Sequence, residues 1–475
     1  LERTRTAVVA RGQPGCSPGV RGASLNRTWC PLSPDPTADS PAHAASARFS
    51  VPSLIRLSLA LALGLVGILL RLSHTHVPPV EALLLYGSSV LAAAFLLAWA
   101  AEALQADISA GLAMAVLAFI AVLPEYAVDL YFAASAARDP AYAQYAAANM
   151  TGSNRLLIGI GWSVVALCGV YHTIKQRRLE AAPAASSREL AVTLAPGYGV
   201  DLMILLLATL WSFLMPLTRQ IAVWHGVGLL LLFGFYIWRV SGGADSEPEL
   251  AGVAQELASQ PKRKRRTLVG LLLGFAAGTL IAAAEPFAES LIGTGRHLGI
   301  DQFLLVQWLA PLASESPELL VATIFALRGH GSAGIAALLS SKVNQWTLLV
   351  GTLPVVYSGA LGRVGALPLD ERQVEELVLT ASQGLLGVAF LSNGRLEWWQ
   401  ALLLLGLFLI QLPFPQTHAR YGISMLYLVL ALALFYHYRR HLPGIVRTAF
   451  KRGPAEPDGG AGPEHSDGHG EGRGP

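Results

Sequence analysis

Apolar runs of about 20 residues recur from Leu54 to the last forty residues, each long enough to cross a hydrocarbon core as a helix. With 53% hydrophobic and only 14% charged residues, the chain lacks the polar surface of a soluble domain. It reads as an all-α polytopic membrane protein, because lipid leaves a backbone no partners outside its own helix. Spans are expected at 54–72, 80–104, 108–136, 141–170, 199–217 and 220–240, then at 267–292, 302–327, 332–358, 373–391, 397–413 and 420–438. That makes about twelve helices.

Charge inside such helices is costly, about 2.5 to 3.5 kcal/mol for an acid at the bilayer centre on insertion scales, so it points to function. Ala310 to Leu327 carries Glu315 and Glu318 three residues apart, on one face, with Ser314 one turn before Glu318 on the same side. Pro317 lies among them, and a proline within a helix displaces the carbonyl four residues earlier, here that of Ala313. A second copy runs upstream through Leu123-Pro124-Glu125, with Asp129 one turn on and the carbonyl of Ile120 expected to be freed. Carboxylates, hydroxyls and freed carbonyls are the oxygen ligands of hard cations.

The likeness of the halves extends further. Glu102 precedes the first acidic stretch in Ala101-Glu102-Ala103-Leu104, and Glu289 precedes the second in Ala288-Glu289-Ser290-Leu291, with Glu285 nearby. Each stretch is followed by a helix of small residues and then by a hairpin with a central arginine, Arg219 or Arg395. Residues 80–240 and 267–413 thus form two repeats of five helices. An odd number of spans inverts the second relative to the first and puts a binding site at the midplane. One extra helix flanks the repeats at each end, within 54–79 and 414–440.

Basic residues gather between the runs: Lys175, Arg177, Arg178 and Arg188; Lys262 to Arg266 in the connecting segment 241–266; and Arg439, Arg440, Arg447, Lys451 and Arg452 in 441–475. With twelve spans all lie on one side, with both termini, and the positive-inside rule makes that side cytoplasmic; the membrane is expected to be the plasma membrane. A net charge of +3 argues against nucleic acid as a partner. Cys16, Cys30 and Cys168 show no metal-binding spacing. Residues 1–53 and 453–475 read as disordered segments. The partners expected are the bilayer and small inorganic cations, with no obligatory protein partner.

These motifs resemble the cation/calcium exchanger superfamily, sodium/calcium and calcium/proton antiporters marked by two repeats with a Thr-Ser-Leu-Pro-Glu-like stretch and a Gly-Ser-Asn-like helix. The matching residues here are Leu123-Pro124-Glu125 and Asn149-Met150-Thr151-Gly152-Ser153-Asn154, then Ser314-Glu315-Ser316-Pro317-Glu318 and Ser340-Ser341-Lys342. The resemblance covers about residues 80 to 413. It implies that Glu125 and Glu318 are the central metal-binding glutamates, that Ser314 is a hydroxyl ligand, and that Ser153 and Ser341 are small polar ligands.

The chain departs from the pattern at Ala121-Val122, at Glu315, and at Leu157 and Gln345, where Asn or Asp is common. Sodium ligands are missing, while Asp129 and Glu315 add acid. Arg155 and Lys342 sit mid-helix, and are expected to partner those acids rather than the substrate. The resulting expectation is a secondary antiporter, not an enzyme and without a cofactor, exporting Ca²⁺ or another divalent such as Mn²⁺ in exchange for H⁺ or Na⁺. A Na⁺/H⁺ antiporter, an intramembrane enzyme and a passive cation channel are the alternatives.

Overall fold

Helix accounts for most of the chain in the computed structural model, which describes residues 49–108, 119–120, 122–180, 190–194, 197–241, 250–414, 416–443 and 445–446. Every described residue belongs to one compact unit within Ser46–Pro475. Cys16, Cys30, Ala121, Arg188, the tail 453–475 and nearly all of 1–53 therefore lie outside the described residues.

In the first half, α1 (Val51–Ser73) and α2 (Pro79–Leu104) precede α3 (Leu123–Ala136). Then α4 (Ala143–Leu156) continues through a π-helical turn, Leu157–Trp162, into α5 (Ser163–Leu179). Strand β1 (Ala191–Thr193) leads to α6 (Gly199–Ser212), the short α7 (Leu214–Thr218), β2 (Gln220–Ala222) and α8 (Val223–Val240). The second half follows the same plan. After the short α9 (Val253–Ala258) come α10 (Lys262–Leu298), α11 (Gln302–Leu327), and α12 (Gly331–Asn344), which passes through a second π turn, Gln345–Leu349, into α13 (Val350–Leu361). Strand β3 (Ala366–Pro368), α14 (Glu371–Leu391), β4 (Arg395–Glu397), α15 (Trp398–Gln411) and α16 (Thr417–His437) complete it. Among the described residues, eight helices are long and apolar enough to cross a membrane.

The strands prove the inversion. β1 pairs antiparallel with β4, and β2 with β3, in registers Val192↔Leu396 and Ile221↔Leu367. Helix α6 therefore starts at the β1/β4 end and leads to the β2/β3 end, whereas α14 starts at β3 and runs to β4. Corresponding helices of the two repeats are antiparallel. Two of the four, β2 and β4, fall at the hairpin tips, where Arg219 stands in the left-handed region at φ 52° just before β2 and Arg395 opens β4. At three residues each, they are too short to leave an alternating pattern in the sequence.

Two expectations need correction. Pro124 occupies the first turn of α3, not the middle of a helix. A proline is well tolerated there because that N–H has no intrahelical partner in any case. Pro317, by contrast, lies inside the unbroken α11. The basic run Lys262–Arg266, expected in a loop, forms the opening turns of α10.

That run has a definite anchor. Arg265 and Arg266 pair with Asp107, just beyond α2, at 2.7 and 3.1 Å, so the end of α2 and the start of α10 meet. Glu256 of α9 accepts from the hydroxyls of Ser50 and Ser53 at 2.7 and 2.8 Å, bringing the start of α1 to the same side. The flanking helices pack outside the repeats, α1 against α2 and α10, and α16 along α14.

The helix of small residues works by close approach. A Cβ placed on Gly152 would lie 1.8 Å from the backbone oxygen of Gln307 in α11. The glycine thus lets the two site helices touch, and α4 is unbroken at that point.

Gly152→Ala should cost at least the 1 to 3 kcal/mol or so typical of overpacking, read as loss of monodisperse protein in detergent. A second outcome concerns pH. Hydrogen bonds from Arg265, then Arg266, hold the Asp107 carboxyl down at about 2. Its stabilising contribution is therefore complete above the free value of about 3.9 and lost as pH falls toward 2. Asp107→Asn should lower the melting temperature at pH 7 and bring no further loss at low pH; an unchanged melting temperature would remove the anchor.

Candidate cation-binding site

The two acidic stretches meet because α3 and α11 pack against each other, with the small-residue helix α4 beside both and α12 beside α11. Glu125 and Glu315 are buried, 2% and 3% exposed, and Asp129 is fully buried. Gln345, at the start of the second π turn, ties the halves together. Its amide NH₂ donates to Glu315 Oε1 at 2.6 Å and to both oxygens of Glu125 at 3.2 Å. A π turn inserts one residue into the helical ladder and so re-aims the side chains beside it.

Asp129 accepts from Asn149 Nδ2 at 2.8 Å. The hydroxyls of Ser153 and Ser341 face Glu125 and Glu318, while that of Ser314 turns back to the carbonyls of Ala310 and Pro311 at 3.3 Å. Ser314 lies on the expected helix face but binds its own helix.

Five acceptor oxygens here are buried with no donor: Asp129 Oδ2, Asn149 Oδ1, Glu315 Oε2, Glu318 Oε2 and Gln345 Oε1. An acceptor removed from water without a donor is costly, and a hard cation supplies what the protein withholds. The oxygens come from both repeats. Among the described residues, however, no three His, Cys, Asp or Glu side chains form a closed metal cage. The arrangement is an oxygen-rich surface, suited to a cargo ion that must also leave.

Arg155 does not join the acids as expected. Its guanidinium pairs with Glu376 of α14 at 2.7 Å, both side chains being fully buried, and lies 4.9 Å from the Trp308 ring centre. Arg420 of α16 pairs with the same Glu376 and sits 3.9 Å from Glu375. Glu375, Glu376 and Arg420 escaped the sequence reading, although ionisable residues within apolar spans were the signal that could have found them. Among the described residues Lys342 makes no hydrogen bond or ion pair to an acid, although the charges of Glu315 and Glu125 reach it; its ammonium donates to the carbonyl oxygen and to Oδ1 of Asn154.

The acids preceding the repeats diverge in role. Glu102 is near enough to Glu318 for their charges to interact. Glu289 accepts from the hydroxyls of Tyr131 and Tyr142, both at 2.6 Å. Glu285 pairs with Arg71 at a half-exposed position at 2.5 Å.

This architecture is shared. A crystal structure titled as the H⁺/Ca²⁺ exchanger CAX superposes with a TM-score of 0.77 at 40% identity, covering 84% of this chain and 98% of that one. The Ca²⁺/H⁺ antiporter protein YfkE has the same fold at 14% identity and a TM-score of 0.54, over 80% of this chain and all of that one. No curated protein sequence matches. The family described as sodium/calcium exchanger protein matches residues 79–242 and 267–415, the two inverted repeats with their paired acids, and the chain belongs to that family.

Proposed function

We propose that the protein is a secondary cation antiporter that carries Ca²⁺, or a similar hard divalent ion such as Mn²⁺, across the membrane in exchange for protons by alternating access. The observation that carries this reading is the set of donor-less oxygens around Glu125, Glu315 and Glu318, contributed by both inverted repeats. Oxygen-only ligands suit Ca²⁺ and exclude the softer metals that need thiolate or imidazole.

Protons rather than sodium are favoured by what surrounds the acids. Glu125 and Glu315 share one amide donor, and two carboxylates side by side in a poorly solvated place are stable only with a cation or a proton between them. A divalent ion entering must displace that proton, and a returning proton must release the ion. Sodium would need its own oxygen shell. At the first π turn the position equivalent to Gln345 is Leu157, fully buried and without any side-chain oxygen. The 40% identical H⁺/Ca²⁺ exchanger supports the same choice.

The roles divide accordingly. Glu125 and Glu318 are the principal ligands, Glu315 and Asp129 add charge, and Ser153, Ser341 and Asn149 add neutral oxygens. The basic clusters at the β1/β4 end support a cytoplasmic position for that end and both termini, and we assign the protein to the plasma membrane. We assign no catalytic reaction, cofactor or obligatory protein partner.

In vesicles holding the purified protein, labelled Ca²⁺ or Mn²⁺ should move when a proton gradient is imposed in sodium-free buffer. Glu125→Gln and Glu318→Gln should each reduce that flux to background while the protein still inserts and purifies. Flux that requires sodium and ignores pH would overturn the proton coupling, and normal flux in both variants would overturn the site. Exchange of Na⁺ for H⁺ with no divalent movement would favour the Na⁺/H⁺ reading. Single cysteines near Lys262 and Arg439 should resist an impermeant label applied outside intact cells; labelling of either would place that segment outside.

A further inference from the structure

Two equivalent positions of the inverted repeat carry different chemistry, and they touch. Asn154 and Lys342 each lie three residues before a π turn, the turns beginning at Leu157 and Gln345, so the repeat makes them counterparts. Lys342 is fully buried. Its Nζ donates to the carbonyl oxygen of Asn154 at 2.6 Å and to Oδ1 of the same residue, and lies 5.3 Å from the centre of the Trp346 ring. The residues just before the two, Ser153 and Ser341, are those that face Glu125 and Glu318. A fixed ammonium therefore stands between the two halves of the cation site.

Its charge is not consumed locally. Arg155, one residue past Asn154, is matched by Glu376, whereas Lys342 is held by neutral oxygens and an aromatic face. Among the described residues it forms no ion pair; burial works most strongly against its charge, the carboxylates of Glu315 and Glu125 favour it, and Arg155 opposes it. In a site of low polarity an ammonium whose charge is felt by two carboxylates offsets one negative charge of the acid cluster. A sodium ion could do the same, but sodium would be carried and counted in the exchange. A lysine is tethered and stays behind.

We propose that Lys342 is a resident counter-cation, supplying permanently the one positive charge that a second, mobile cation would otherwise have to bring. The site then loads with a single divalent ion against protons alone. This rests on the antiport reading above. It adds that the number of counter-ions per cycle is set by one side chain in the second repeat, at the position where the first repeat has an amide.

The test is a null-point measurement in vesicles holding the purified protein. A fixed Ca²⁺ gradient is opposed by graded proton gradients at clamped potential, with and without sodium, until net flux vanishes; the balance gives the counter-charges moved per Ca²⁺. The wild-type null point should not shift with sodium. In Lys342→Asn and Lys342→Gln the count should rise by one, filled by sodium or by an additional proton, while Lys342→Arg should keep the wild-type count. An unchanged count in the neutral variants would overturn the proposal. So would a wild-type protein that needs sodium, a result that stands even if the variants do not fold. Absence of any divalent flux in the wild type under either gradient would instead remove the antiport reading itself.

Discussion

The controlling interaction is one the protein leaves unmade. Acceptor oxygens of Asp129, Asn149, Glu315, Glu318 and Gln345 are taken out of water and given no donor by the described residues, an omission that costs about 1 to 3 kcal/mol for each buried group. Much of the surrounding architecture holds that deficit in place. Gly152 lets α4 come against the backbone of α11, Pro124 starts α3 directly before Glu125, and the π turn at Gln345 swings an amide across the dyad to keep two acids adjacent. A core that satisfied every one of these atoms internally would be more stable and would have no use for an ion.

The two repeats share a path but not an electrical character. Position for position, Leu157 stands against Gln345, Asn154 against Lys342, and the hydrogen-bonded pair Asp129 and Asn149 against Ala322 and Ala337. The first repeat thus contributes an extra acid with its amide, and the second contributes a bridging amide and an ammonium. Outside the site the imbalance continues. Arg155 ties the first small-residue helix to α14 and α16 through Glu376 and Arg420, whereas Ser340 on the second meets a hydroxyl, that of Tyr236, at 2.8 Å.

The helical membrane architecture and the buried acids that the two repeats bring together were legible because their signals are local. A run of apolar residues states its own length, and a carboxylate inside it has no inexpensive explanation. The inversion could be inferred from an odd number of spans, and the cross-paired strands then establish it. What could not be read was partnership at a distance. Nothing near Arg155 announces that its acid lies in Glu376, 221 positions on. Nor does local sequence distinguish Pro124 at a helix start from Pro317 within a helix, since both stand in apolar surroundings and the difference depends on how the preceding chain enters. The π turns were equally hidden, because a single inserted residue leaves the composition of a helix unchanged.

The crossed strands have a consequence for how such a molecule could have arisen and been assembled. β1 finds its partner in the opposite repeat, and so does β3, once at each end of the molecule. Neither repeat on its own can complete this backbone pairing, but two copies of one ancestral repeat, inserted in opposite orientations, could complete it for each other. The pairing acts as a mutual clasp between halves, available before any connecting segment joined them into one chain. Halves that are not identical copies are free to change independently, and the lysine of one facing an asparagine of the other is a difference that two identical copies could not hold.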